Sequence, residues 1–229
     1  MAAVSASFSK WAVVDNRPAD LSFLAPKLKK RLTASVSMAL EVAHSCVGDK
    51  YPHIRSVFCT RYGEYDRTFK MLNTLLNASF ISPAAFSLST LNVPSGILAM
   101  NTGNKASSTT VSSLSSTLEN GFLEAAMIMQ QYDEPILFVY VDVPIPEAYG
   151  AKFCGTEAPI AMGILLAPNG NQVIQLSWEG SSELSPPPKG LPSSVRKLNE
   201  TLTQLNADGF SFDDGRLTWS WGVRDVCTA

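Results

Sequence analysis

Histidine is the scarcest of the residues that carry chemistry in this 229-residue chain. There are two, His44 and His53, both in its first quarter. Four cysteines, Cys46, Cys59, Cys154 and Cys227, stand far apart, with no CxxC pair and no zinc-ligand spacing among them. A metal centre is therefore not expected. An imidazole without a positioned partner is a poor general base, so His44 and His53 read as structural or surface residues. Cys59 and Cys154 read as small buried or incidental ones. Neither sign of charge dominates: 18 Lys+Arg against 20 Asp+Glu leave a formal charge of -2. The one basic cluster, Lys27, Lys29, Lys30 and Arg31, suits the solvated face of a helix. That removes the electrostatic case for nucleic acid or an anionic membrane as partner. No run approaches 18 uninterrupted apolar residues, and the first 14 residues lack a basic stretch leading into an apolar one. Neither a membrane span nor an export signal is expected, and the reading is a cytoplasmic protein with reduced thiols and no cofactor.

What the chain does have is apolar residues, 45% of the total, at a length sufficient for one large buried core. With no internal repeat and no long linker, residues 1–229 read as a single domain. The run from Phe8 to Val14 suits a strand, and Leu28, Leu32, Val36, Leu40 and Ala43 recur at helical spacing up to a stop at Gly48. A second pair follows: Ser56–Cys59 as a buried strand, then a helix with Tyr65, Phe69, Leu72 and Leu76 on one face. Ser107–Ser112 is the next strand, followed by a helix carrying Leu118, Phe122, Ala125 and Met129. Ile136–Val141 is continuously apolar, as in a parallel strand covered on both faces. Beyond it, Pro159–Ala167 and Gln172–Trp178 read as an antiparallel edge hairpin through Asn169-Gly170. Ser185–Gly190 forms a stiff connection, Val195, Leu198, Leu202 and Leu205 mark a last helix, and Leu217–Trp221 alternates as a final strand. The expected architecture is an α/β layered sandwich with a mainly parallel sheet and that hairpin at its edge.

Several motifs occur in a telling order. Phe58–Tyr65 reads FCTRYGEY, Ser82–Phe86 reads SPAAF and is followed by Asn92 and Gly96, and Thr110–Ser115 reads TVSSLS. This order resembles the N-terminal half of a β-ketoacyl synthase, a thiolase-type fold, whose Thr-Val-Ser-Thr-Ala-Cys segment would place the nucleophilic cysteine at Ser115. With RYGEYDRT at Arg61–Thr68, SPAAFSLS at Ser82–Ser89, GFLEA at Gly121–Ala125 and VYVD at Val139–Asp142, the chain is similar to the short ketosynthase-like chain length factors of aryl polyene biosynthesis, a type II polyketide pathway. The resemblance is strongest over residues 50–167, with 168–229 a poorly matched extension too short for the family's second half.

The resemblance implies a truncated thiolase-like fold, catalytically silent, that forms a heterodimer or a higher assembly with an active β-ketoacyl synthase and meets acyl carrier protein through that complex. Condensation needs a thiolate at a helix N-terminus and two histidines; the family's histidines lie in its C-terminal half, and no histidine follows His53. The resemblance also implies pairing through the strand at Thr109, Thr110 and Val111, whose β-branched side chains suit it, and an acyl tunnel shaped by Tyr62, Tyr65, Phe69, Ala85 and Phe86. Core packing is the alternative role for the three aromatics at 62, 65 and 69. A serine-dependent malonyl-carrier decarboxylase or acyltransferase using Ser115 or Ser116 stays open as a second function, set against helix capping by Ser113, Ser115 and Ser116.

Overall fold

The computed structural model describes residues 1–48, 53–78, 80–145, 158–181, 194–204 and 209–226. Cys154, Cys227, Leu205 and the Ser185–Gly190 connection lie outside the described residues. The chain opens with a long strand, β1 (Ala2–Asp15), then a one-turn helix α1 (Pro26–Lys29) and α2 (Ala34–Val47). The helical spacing from Leu28 to Ala43 is thus divided between two helices. The second starts where Thr33 turns extended and its hydroxyl accepts a hydrogen bond from the Val36 N–H, an N-cap that a periodicity count passes over. There follow β2 (Arg55–Cys59), α3 (Tyr65–Ala78), α4 (Pro83–Ser87), α5 (Val93–Thr102), β3 (Ser108–Val111), a 3₁₀ turn (Leu114–Ser116), α6 (Thr117–Tyr132) and β4 (Ile136–Asp142). The remainder is β5 (Ile160–Leu166), β6 (Gln172–Gly180), α7 (Ser194–Gln204), β7 (Phe210–Asp213) and β8 (Leu217–Asp225).

The described strands form one sheet in the order β3-β2-β4-β5-β1-β6-β8-β7. The layered α/β sandwich is present, but its strand sense differs from expectation. Only β2 runs parallel to its neighbours β3 and β4, and the other described pairings are antiparallel. The reason is that burial on both faces follows from helices covering both sides, whichever way the next strand runs. In β4, Ile136, Phe138 and Tyr140 face a core with Leu118, Phe122 and Ala125 of α6 and Leu198 of α7. Its alternate residues Leu137, Val139 and Val141 face a second core with Val36, Leu40 and Ala43 of α2 and Ile97 of α5. Each large side chain so buried contributes about 1.5–3 kcal/mol relative to exposure.

The expected hairpin is also replaced. β5 and β6 do not pair; β1 lies between them, its residues 8–15 against β5 and 2–8 against β6, with a register shift between Phe8 and Lys10. The Asn169-Gly170 turn therefore carries the chain across β1 rather than back along β5. Gly170 is not in the left-handed region. A Cβ there would stand 2.3 Å from the Phe8 carbonyl oxygen, so the crossing, not a positive φ, needs the glycine. The C-terminal strands β8 and β7 extend the same sheet. No helix among the described residues is long and apolar enough to cross a membrane.

Candidate functional site

The site is built where β3 ends. β3, β2 and β4 are mutually parallel, and in such sheets ligands and chemistry gather outside the carboxyl ends of the strands. There the chain turns sharply through Ser112–Ser116 into α6, and the turn is heavily bonded. The Ser113 N–H donates to Thr117 Oγ1 (2.8 Å), whose hydroxyl donates to the Leu114 carbonyl (2.9 Å). Asn120 Nδ2 donates to Ser113 Oγ (3.1 Å) and to the Ser116 carbonyl (2.8 Å), and the Ser116 N–H to the Ser113 carbonyl (3.1 Å). Ser112 Oγ donates to the Arg61 carbonyl (3.0 Å), tying the turn to the segment after β2. The residue in the left-handed conformation is Leu114, at φ 46°, one before Ser115.

The opposite wall comes from the C-terminal strands. Ser116 Oγ donates to Asp214 Oδ2 in the turn between β7 and β8. Trp219 Nε1 donates to the same oxygen (2.9 Å), and the N–H groups of Arg216 and Leu217 to Oδ1 (2.9 Å each). Burial pulls the Asp214 carboxyl upward, yet these four donors hold it below the usual carboxylate range. Between the two walls lies a cavity of about 1000 Å³, lined among others by Ser112, Ser115, Asn120, Asp214, Arg216 and Trp219.

Below it the groups are buried. Glu119 is fully buried; its Oε1 accepts from Trp221 Nε1 (3.2 Å), and its Oε2 has no hydrogen-bond partner among the described residues. Burial pushes this carboxyl up to about 8, so it keeps its proton at neutral pH. Burial likewise pushes the Cys59 thiol well above its ordinary value, which leaves it without thiolate character. Arg61 and Asp142 form a buried ion pair, and Tyr140 OH donates to Asp142 Oδ2 (3.0 Å).

No imidazole reaches this place. His44 stacks on Phe23 at 3.9 Å on the α2 side of the sheet. His53 precedes the amino end of β2, so the strand's five residues, about 17 Å, separate it from the carboxyl end. Ser115 is half-buried at the cavity wall, and no carboxylate or imidazole among the described residues hydrogen-bonds it. Ser113, Ser115 and Ser116 make no side-chain cap to the helix backbone. The hydroxyl that bonds the turn's own backbone is that of Thr117.

The remaining sequence candidates lie elsewhere. Thr109, Thr110 and Val111 are half-buried on β3, whose outer edge has no strand partner among the described residues. Tyr62 and Tyr65 stack at 5.5 Å, with the Arg61 guanidinium 5.4 Å from the Tyr62 ring centre. Tyr65 is exposed, Phe69 and Ala85 are half-buried, and Phe86 is 64% exposed. None of these five lines the elbow cavity. Leu72, Leu75 and Leu76 of α3 and Phe80 continue this apolar surface. Sequence reading missed Leu114, Glu119, Asp214 and Trp219. The Asp214-Gly215 pair between alternating Phe210-x-Phe212 and Leu217-x-Trp219-x-Trp221 was the available signal for the turn that carries Asp214.

Solved structures of similar fold include ketosynthases and their complexes. One, a ketosynthase (ApeO) in complex with its chain length factor (ApeC) from Xenorhabdus doucetiae, superposes with a TM-score of 0.78 at 20% identity, covering 96% of this chain and 99% of that one. The ishigamide ketosynthase/chain length factor gives 0.64 at 11% identity (78% and 68%), and a β-ketoacyl synthase from Burkholderia phymatum 0.55 at 8% (78% and 54%). The fold is thus the thiolase-like ketosynthase fold. The sequence matches the family described as β-ketoacyl synthase, N-terminal domain, over residues 5–222, and the chain belongs to that family. The match runs past residues 50–167 into the C-terminal strands. No curated protein matches the chain.

Proposed function

We propose that this chain is a non-catalytic chain length factor that pairs with an active β-ketoacyl synthase and shapes its acyl tunnel during polyene or polyketide elongation. The observation that carries this reading is the elbow itself. The family's strand, turn and helix are built in full around Leu114 and Ser115, with no thiol on the turn and no histidine near it. A condensing enzyme cannot form its acyl-enzyme there. The open edge of β3 at Thr109–Val111 and the apolar surface from Tyr65 to Phe86 support a protein partner, since both are features a monomer ordinarily covers. The partner covers them, the chain acts as one domain over 1–229 in the cytoplasm, and acyl carrier protein is met through the complex.

The serine-dependent decarboxylase or acyltransferase is the weaker reading. Ser116 is engaged by Asp214 without an imidazole between them, and no base among the described residues hydrogen-bonds Ser115.

Chain-length control is tested by product analysis. In the reconstituted complex, Tyr65→Ala or Phe69→Ala should shift products towards longer polyenes, detected by liquid chromatography and mass spectrometry. An unchanged length distribution from a stable complex would contradict the gate.

A further inference from the structure

Leu114 holds a conformation that suits it poorly. Its φ of 46° is one that glycine adopts freely and asparagine or aspartate tolerate, whereas a leucine Cβ crowds the backbone there. The turn is nevertheless fixed in this shape from several sides: by Thr117, by both contacts of Asn120, by the Ser113–Ser116 backbone bond and by Asp214 holding Ser116. Burial does not compensate. The side chain is 71% exposed, at the wall of a cavity whose other residues include Ser112, Asn120, Asp214 and Arg216. The elbow therefore carries a strained backbone and an uncovered hydrocarbon chain on one residue. A turn serving only to start α6 would be better made with glycine or asparagine. Backbone strain held this firmly points to use of the side chain it aims.

Position identifies what the side chain meets. Leu114 lies three residues beyond Val111, at most about 11 Å of chain from the end of β3's open edge. A subunit that covers that edge reaches the elbow next, and Leu217 and Trp219, the apolar residues across the cavity wall, leave Leu114 71% exposed. Resting on the function proposed above, we propose that Leu114 is an apolar contact that the strained elbow presents to the partner ketosynthase, buried when that subunit covers β3.

Leu114→Gly and Leu114→Asn separate contact from folding, because both residues suit the left-handed backbone. The melting temperature of each full-length variant should equal or exceed that of the unaltered chain. Dissociation constants with a β-ketoacyl synthase from the same organism, read by mass photometry, should rise at least tenfold for both. Unchanged dissociation constants would overturn the role of Leu114 and leave the proposed pairing intact. Lower melting temperatures in both variants would overturn it too, by assigning Leu114 to folding. If the unaltered chain does not bind, the proposed function fails, and this contact with it.

Discussion

Glu119 sits in the first turn of α6 with its side chain removed from solvent and one carboxyl oxygen unpartnered among the described residues. Burial places its folded value at about 8, against 4.5 for an ordinary glutamate. Between those values the folded chain holds a proton that the unfolded chain has released, so stability falls as pH rises through this window and levels off above it. The loss is bounded at about 5 kcal/mol. Glu119→Gln removes the titration while keeping an oxygen for Trp221. Urea midpoints at pH 6 and pH 9 should differ more for the unaltered chain than for Glu119→Gln. Equal pH dependence in the two proteins would show that Glu119 does not carry the effect. Leu114 and Glu119 were illegible in sequence for one reason: exposure at a strained φ and burial of a carboxyl with only an indole N–H to bond it are both properties of three-dimensional surroundings, and a leucine and a glutamate near the start of an amphipathic helix look ordinary.

Among the elements, the β7–β8 turn does the most to complete the site. Asp214 reaches from it to Ser116, nearly a hundred residues earlier, and satisfies the buried indole N–H of Trp219 as well. Asp214→Ala leaves that indole N–H and the Ser116 hydroxyl without their acceptor and should cost about 1–3 kcal/mol in chemical denaturation. An unchanged midpoint would show that the turn does not brace the elbow. Helices α2, α3, α6 and α7 and most strands were legible because their periodicities are strong: Ile136–Val141, Leu118–Met129 and Val195–Leu202 all stand where the pattern puts them, whereas the short helices α4 and α5 were not read. Strand partners were not. β1 separates β5 from β6, and no local pattern around Asn169-Gly170 reports that a strand from the other end of the chain will lie between them. Phe210–Asp213 was missed as a strand because its four residues are too few for alternation to register. The apolar face of α3 was read correctly from spacing, yet Tyr65, Leu72 and Leu76 on it are exposed. Its strong amphipathicity is not used by the described core.

At the scale of the molecule, one sheet closed on both faces by helices accounts for the core, and the surfaces left over converge on association. β3 is an edge strand with no strand beyond it among the described residues, the elbow follows it directly, and α3, α4 and the segment between them expose Leu72, Leu75, Leu76, Phe80 and Phe86. The resemblance read from Arg61–Thr68, Ser82–Ser89 and Thr110–Ser115 pointed to the family that the whole-length match confirms. The most direct test is co-expression with a β-ketoacyl synthase from the same organism, followed by size-exclusion chromatography. The two are expected to co-elute as a stable complex at a mass above either alone; consistent elution as separate species would contradict the account.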